Sequence, residues 1–468
     1  MKNMSLKEIA AACGGTYHGD PALLSKEASS VAIDSRKVQK DTLFVAIKGA
    51  RVDGHSFIPQ VMEQGAICSL SEQDLGDVTY PYIQVATCTD ALKDLAEHYR
   101  RSLDIKVVGI SGSVGKTSTK EMIASVLSEK YCVLKTEGNF NNEIGLPLTV
   151  FNLREEHEVA VLEMGISDFG EMDRLSKIAQ PDISVITNIG LCHLENLKTR
   201  DGILKAKTEI FNNMKPDGIA ILNGDDDKLI TVDEVNGKKP ERFGINYKDG
   251  VYAKDIENLG LSGTKFVISG LNCVDGCKDF EVTVPVPGHH MIYNALAAAC
   301  VGAALELTSA QIADGIADLK TISGRNNIIK TSKYTLIDDC YNANPVSMKA
   351  SVDVLDMAIG RKVCILGNMY ELGENEKNLH YDVGQYIGTK NIDVLITIGD
   401  LARHIAMGTD DYMETHFGSY DCEIHSFDDM EEFNMAYSSI LKDNDNILIK
   451  ASHAMKFADI VELLSKDN

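Results

Sequence analysis

From about residue 104 onward, short apolar runs alternate with stretches of helical period. Strands are expected at 107–110, 132–135, 159–163, 183–187 and 219–223. Each is a run of four or five mostly apolar, often β-branched residues, the pattern of a strand buried on both faces. Between several of them the period shifts to 3.6, most clearly over 118–129, which predicts βαβ units and a parallel sheet. Short strands dominate from about 228 to 287, and helical patterns follow at 293–305 and 309–319, ending at Ser323-Gly324-Arg325. A second alternation then begins. Its strands read at 334–338, 362–366, 394–398 and 447–450, with helices near 346–358, 380–388 and 455–464. Residues 1 to about 103 carry shorter strand-like runs, such as 42–48, glycine turns and one helix over 89–103. The expectation is an α/β protein of three domains, 1–104, 105–325 and 326–468, a number that also suits 468 residues.

Composition narrows the class. A hydrophobic content of 44% and a charged content of 25% are those of a globular chain. No apolar run approaches the ~18 residues of a membrane span, and the first residues lack a signal-type apolar stretch. The eleven cysteines are odd in number and scattered, as expected of a reduced cytoplasmic protein. The close pair Cys273 and Cys277 reads as a surface hairpin rather than a metal or redox site. With 69 acidic and 46 basic residues the net charge is −23, which disfavours nucleic acid and anionic membranes as partners. Small phosphate ligands remain open, because they answer to local N–H groups and a few cations.

One motif gives the middle domain its chemistry. Gly109-Ile-Ser-Gly112-Ser113-Val114-Gly115-Lys116-Thr117 follows an apolar strand and opens the helix beginning near Ser118. A glycine-rich loop at a helix N-terminus presents unpaired N–H groups to phosphate. Lys116 can reach the outer phosphates of a nucleotide, and the Thr117 hydroxyl can hold Mg²⁺. Glu163 ends a strand where open α/β sheets bind ligands, and magnesium takes hard oxygen donors of this kind. His193 follows another strand after Asn188, and on its own a histidine there is structural or functional. Lys207 lies on a helical pattern whose period would leave it on a solvated face. The stretch from Gly138 to Pro147 is rich in amide side chains and reads either as a ligand-facing loop or as an ordinary surface turn.

Taken together, Gly112 to Thr117, Asn139 to Pro147, Glu163-Met-Gly, Asn188 with His193-Leu-Glu, and Ala206-Lys207-Thr-Glu-Ile-Phe211 resemble, in order and spacing, the Mur ligases. These are ATP-dependent, amide-forming enzymes of peptidoglycan precursor synthesis. Asp34-Ser35-Arg36 and Asp53-Gly54-His55 resemble the family's UDP-binding domain. Tyr341-Asn342-Ala-Asn344-Pro and Gly367-Asn-Met-Tyr-Glu-Leu-Gly373 resemble the last domain of the branch that adds a dipeptide. The resemblance implies an N-terminal UDP-binding domain, a central P-loop-type parallel-sheet ATPase domain and a Rossmann-like C-terminal domain. It implies a cytoplasmic, ADP-forming ligase, working as a monomer, that joins D-Ala-D-Ala to UDP-N-acetylmuramoyl-tripeptide through an acyl phosphate. A ligase adding the third amino acid and a regulatory NTPase are the alternatives.

What the resemblance implies for individual residues follows. Lys116, Asn142, Glu163, His193 and Lys207 would be catalytic. Gly112, Ser113, Val114, Gly115, Lys116, Thr117, Ser118, Asn294, Arg325 and Asp339 would bind ATP. Thr117, Glu163, His193 and Lys207, the last carbamylated by CO₂, would serve two Mg²⁺ ions. Ser35, Arg36, Asp53, Gly54 and His55 would meet the UDP substrate, and Tyr341, Asn342 and Asn344 the acceptor side. The chain departs from the family where Met291 replaces asparagine, Asn368 replaces aspartate, and Lys450-Ala-Ser-His453 replaces Lys-Gly-Ser-Arg.

Overall fold

The computed structural model describes residues 1–49, 52–320, 323–416 and 422–466. Three sheets organise them, the first from the short runs of residues 1–103 and the others from the two alternations above. The first contains β1 (Thr16–His18), β2 (Ser30–Ala32), β3 (Thr42–Val45), β4 (Cys68–Ser71) and β5 (Tyr82–Gln84), in the order β1-β5-β4-β3-β2. All its pairings are parallel except β1 with β5.

The central sheet has nine strands. They are β6 (Lys106–Ser111), β7 (Val133–Lys135), β8 (Val159–Glu163), β9 (Ile183–Ile186), β10 (Ile219–Asn223), β11 (Glu241–Gly244), β12 (Val251–Asn258), β13 (Thr264–Ser269) and β14 (Asp279–Val284). The order is β14-β13-β12-β11-β10-β9-β6-β8-β7. Strands β6 to β11 lie within one or two residues of the expected runs or in the region where short strands are expected. The sheet is not parallel throughout: β12 still pairs parallel with β11, but β13 and β14 extend the sheet through antiparallel pairings. The β13–β14 connection carries Cys273 and Cys277, and all eleven cysteines are unbridged.

The third sheet contains β15 (Asn327–Lys330), β16 (Thr335–Asp338), β17 (Lys362–Gly367), β18 (Val394–Ile398), β19 (Glu423–Phe427) and β20 (Asn446–Lys450). Its order is β15-β16-β20-β17-β18-β19, parallel except at β15. The pattern does not predict β15 or β19. Both are edge strands with half-exposed side chains, so neither shows a continuous apolar run. The helices Glu171–Ala179, Arg403–His416 and Met430–Ile440 are likewise absent from the expectations.

Two features position the site. In the central sheet, β6 lies between β8 and β9, so the chain leaves it first to one side and later returns on the other. That reversal opens a crevice at the carboxyl ends of the strands. The helix Lys116–Ser128 starts there and packs against the alanine-rich helix His290–Ala304, which is buried along most of its length. Among the described residues no helix is long and apolar enough to cross a membrane.

Candidate functional site

The glycine-rich loop leaves β6 at Ser111 and turns sharply into the helix. Gly112 has φ +149, and a Cβ there would collide with the Thr187 hydroxyl; Gly115 caps the helix at φ +83. Both positions therefore favour glycine. The loop is also held from outside. Asn188 accepts from the Val114 N–H at 2.9 Å, donates back to the Val114 carbonyl at 2.9 Å, and accepts on its own carbonyl from the Ser113 N–H at 3.0 Å. Thr187 Oγ1 donates to the Val114 carbonyl at 2.7 Å. Residues after β9 thus set the shape of the loop after β6.

Glu163 pairs with Ile110 across β8 and β6, level with the start of the loop. Its side chain is 2% exposed. Oε1 accepts from Asn141 Nδ2 at 2.8 Å, while Oε2 is buried and has no partner. A buried, unpaired carboxylate oxygen is costly and points to a missing cation or donor. Beside it, Lys116 Nζ donates to the Gly112 carbonyl at 2.8 Å. Burial pulls the Lys116 ammonium below its usual range against the opposing charge of Glu163.

Lys207 ends the helix Arg200–Thr208. Its period predicts a solvated face, but Lys207 is 1% exposed. It makes no hydrogen bond or ion pair among the described residues. Burial first, then the charge of Lys116, brings its pKa down to about 7. His193 stands at a left-handed backbone position, φ +50. Burial, followed by the charges of Lys207 and Lys116, lowers its pKa. Lys116, Lys207 and His193 therefore lie within each other's fields, and Glu163 acts on Lys116.

A pocket of about 330 Å³ joins the glycine-rich loop, Lys116 and Glu163 to the third sheet, while His193 and Lys207 do not line it. Of the expected residues, Ser113 to Ser118, Glu163, Arg325, Asp339, Tyr341, Asn342 and Asn344 line it, together with Asn141, Asn188, Asn326 and Lys450. Arg325 lies over the Tyr341 ring at 4.3 Å, and its charge is felt at Lys116. Asp339 Oδ2 meets Lys450 Nζ at 2.6 Å and accepts from the Ser351 hydroxyl at 2.5 Å. Asn344 caps the helix Pro345–Asp356, accepting from the Ser347 N–H at 2.9 Å.

Several expected residues stand elsewhere. Asn142 Oδ1 accepts from the N–H groups of Ile144 and Gly145, at 3.2 and 2.8 Å, so its amide caps the helix Gly145–Val150. Its neighbour Asn141 is the amide that holds Glu163. Sequence pattern could not separate two adjacent asparagines, because only the loop's path decides which one turns inward. Asn294, expected at the adenine, is closed in. It accepts from the Thr119 hydroxyl at 2.9 Å, donates to Met291 Sδ at 3.3 Å, and does not line the pocket. In the first domain Arg36 grips Asp34 through two bonds of 2.9 and 2.8 Å. Asp53 accepts from the His55 N–H at 3.0 Å and contacts its ring at 2.6 Å. The His55 ring in turn accepts from the Glu72 N–H at 3.0 Å. Ser35 and Gly54 sit in the 3₁₀ turns that carry these contacts, after β2 and β3.

A larger cleft, about 1100 Å³, runs between the edge strand β2 and the edge strand β7 and includes Asp34, Lys37, Lys135 and Phe140. The loop 137–141 separates the two cavities. Glu137 and Phe140 face the cleft, while Gly138, Asn139 and Asn141 face the phosphate-loop pocket. The Asn139–Pro147 stretch is therefore a partition between two cavities in its first half and the start of a short helix in its second.

The donors fit a magnesium ion completed by substrate phosphates. Thr117 and the free Glu163 oxygen are hard ligands facing the loop that would hold those phosphates. Among the described residues there is no group of three or more His, Cys, Asp or Glu side chains suited to hold a metal by themselves.

The chain belongs to the Mur ligase family, and its fold is that of the family's solved structures. Residues 27–100 match the model of the Mur ligase family catalytic domain, 110–302 the Mur ligase middle domain, and 324–453 the Mur ligase glutamate ligase domain. The chain is 37% identical to UDP-N-acetylmuramoyl-tripeptide–D-alanyl-D-alanine ligase of Bacillus subtilis, over 99% of this chain and 98% of that one. It is 32% identical to the enzyme of that name from Escherichia coli, over 100% and 99%. Among solved structures it is similar to MurF from Acinetobacter baumannii, with a TM-score of 0.89 and 30% identity over 99% of both chains. It is also similar to MurF from Thermotoga maritima in complex with ADP, with a TM-score of 0.81 and 30% identity over 94% and 97%.

Proposed function

We propose that the protein is the ADP-forming ligase that joins D-Ala-D-Ala to UDP-N-acetylmuramoyl-tripeptide. The observation that carries the site reading is the buried, unpartnered Glu163 oxygen beside the phosphate loop; full-length identity to ligases of that name supports the choice of substrates.

A carboxylate does not react with an amine at neutral pH. ATP first phosphorylates the tripeptide carboxylate, the dipeptide amine adds to the acyl carbon, and phosphate leaves as the amide forms. The loop N–H groups and Lys116 hold the nucleotide phosphates and oppose their charge in the transition state. Thr117 and Glu163, with His193 and Lys207 for a second ion, would hold Mg²⁺, which supplies charge neutralisation at the phosphates. Asn141 fixes the Glu163 carboxylate, and Asn188 fixes the loop. A lysine with a pKa near 7 is partly neutral at physiological pH. Its lone pair can add to CO₂, releasing a proton to water, and the resulting carbamate replaces a destabilising buried cation with an anion. That supports the carbamylated Lys207.

Residues 1–104 would bind the UDP-muramoyl peptide, with Ser35, Arg36, Asp53, Gly54 and His55 at the carboxyl ends of β2 and β3. The 1100 Å³ cleft beside Asp34 then leads its peptide toward the partition loop. Residues 105–325 would bind ATP, with Arg325 and Asp339 closing on it from the junction and the last domain. Residues 326–468, through Tyr341 and Asn342, would present the acceptor. Asn344 contributes there by starting its helix. All three substrates meet groups of one chain, which supports a monomer, and ATP with a UDP-sugar supports a cytoplasmic enzyme.

The test is a coupled ADP-release assay. The expected result is turnover with UDP-muramoyl-tripeptide plus D-Ala-D-Ala, whether the third residue is diaminopimelate or lysine, and none with either substrate alone. Turnover with UDP-muramoyl-dipeptide plus a free diamino acid instead would move the enzyme to the preceding ligation. ADP release independent of both substrates would make it an NTPase.

A further inference from the structure

The residue expected at the adenine is engaged elsewhere, and the cause is one of the chain's departures from the family pattern. Met291 stands where the family has asparagine. Its Sδ accepts from Asn294 Nδ2 at 3.3 Å, while Asn294 Oδ1 accepts from the Thr119 hydroxyl at 2.9 Å. Both ends of that amide are therefore taken.

A second amide nearby is held at one end only. Asn326 is buried and stands at φ +46, a left-handed position that asparagine tolerates better than most residues. Its backbone is fastened to the third sheet: the Gly324 N–H donates to Asp338 Oδ2 at 2.7 Å, and the Asn326 N–H to Asp339 Oδ1 at 3.2 Å. The Asn326 Nδ2 lies 3.2 Å from His290 Nε2. Burial holds the His290 ring below the usual imidazole range, so it is neutral and can accept there. Asn326 Oδ1 is left buried, with no partner among the described residues. A buried acceptor in that state is destabilising until a donor reaches it.

The surroundings of that oxygen select the donor. Asn326 lines the phosphate-loop pocket and also a side slot of about 30 Å³. Ser118 and Arg325 line both cavities, so the slot adjoins the place where the nucleotide phosphates would lie. Val286, Met291 and Leu319 give it apolar walls. Glu121 also reaches it, but its carboxylate is already paired with Lys120 and Lys135. A small slot with apolar walls and an unmet acceptor suits the amine-bearing edge of a flat heterocycle. It suits neither a phosphate nor a carboxylate, which bring acceptors of their own.

We infer that Asn326 reads the base of the nucleotide, its Oδ1 accepting from the 6-amino group of adenine in place of the Asn294 amide. The inference rests on the ATP-dependent ligase reading above and adds to it the residue that selects the base. Guanine would turn its 6-carbonyl toward the same oxygen, acceptor against acceptor, so the residue also sets ATP above GTP.

The experiment is calorimetric titration of the full chain, with Mg²⁺, by ADP, by GDP and by purine riboside diphosphate, which carries hydrogen in place of the 6-amine. Wild type should bind ADP at least roughly tenfold more tightly than either of the others, since neither supplies the missing donor. Asn326→Gly removes the amide and suits the left-handed backbone; ADP should weaken there to within about twofold of the purine analogue. Wild type that binds ADP no more tightly than the analogue or GDP would overturn the inference, the oxygen then being met by water. So would Asn326→Gly with the wild-type preference intact. Parallel weakening of all three ligands would overturn it too, as the mark of a residue that only shapes the turn. Asn326→Asp keeps the length and an acceptor oxygen, and it decides the matter where the glycine variant does not fold. It should keep the preference for ADP over the analogue, and loss of that preference would refute the acceptor role. The titration needs neither muramoyl peptide nor dipeptide, so failure of the ligase reading in the turnover assay and failure of this inference are read separately.

Discussion

The central pocket and the last domain's face of it are built on opposite principles. Around the phosphate loop, charged groups are buried and left unsatisfied: Glu163 Oε2 has no partner, Lys207 has none, and three bases sit within each other's fields. Across the pocket, the last domain satisfies itself. Lys450 Nζ, 2% exposed, bonds Asp339 and the Asn342 carbonyl; Ser351 completes Asp339; Asn344 closes a helix end. Unpaired groups mark where ligand charge must arrive, and paired groups hold the frame that delivers it. Substitutions on the first side should therefore harm chemistry more than folding, and on the second side folding more than chemistry.

Lys116→Ala puts the sharpest strain on that contrast. Ligation should fall by roughly 10³-fold or more while circular dichroism and the melting temperature stay near wild type. Retention of more than a few per cent of activity would remove the phosphate loop from the mechanism. Lys207→Ala should be nearly as inactive and regain part of its rate with added formate or acetate, which return an anion to the vacated space. Crystals grown with ATP, Mg²⁺ and bicarbonate that show a bare Lys207 amine would count against the carbamate.

On the satisfied side, Lys450→Met should lower folding stability by about 3–5 kcal/mol, because it strands the buried Asp339 carboxylate. Urea unfolding reads this directly, and an unchanged midpoint would erase the distinction between the two faces.

A smaller effect separates them by pH. The folded-state pKa of Lys207, about 7, lies below the value of about 10.4 for an unfolded lysine. Between these values the unfolded chain binds a proton that the native state lacks, so stability rises with pH. In CO₂-free buffer without nucleotide, Lys207→Met should be the more stable protein below about pH 7. Its advantage should shrink toward about pH 10 by up to ~1.4 kcal/mol per unit, and a constant difference across that window would contradict the depressed pKa. Least of all, Asn344→Ala should cost about 1 kcal/mol as a lost helix cap, with KM for ATP close to wild type.

Much of this was legible in order along the chain. Runs at 107–110, 159–163 and 219–223 became central strands because residues buried on both faces leave an unbroken apolar signal. The edge strands β15 and β19 left none. The glycine-loop motif was readable for the same kind of reason: its chemistry depends on neighbours within nine residues, which sequence lists directly.

What lay outside that local window needed the fold. Lys207 reads as a solvated helical lysine until the helix, through Ile203 and Ala206, packs into the core, where burial lowers its pKa to about 7. Asn141 rather than Asn142 turns to Glu163 because the loop's path, not its composition, aims the amide. The closure of Asn294 behind Thr119 and Met291 depends on two helices meeting side by side. Strands, loops and motif residues follow from local steric and hydrophobic preference, which sequence by itself determined. Burial and electrostatic fields are sums over groups distant along the chain, and those only the tertiary structure decided.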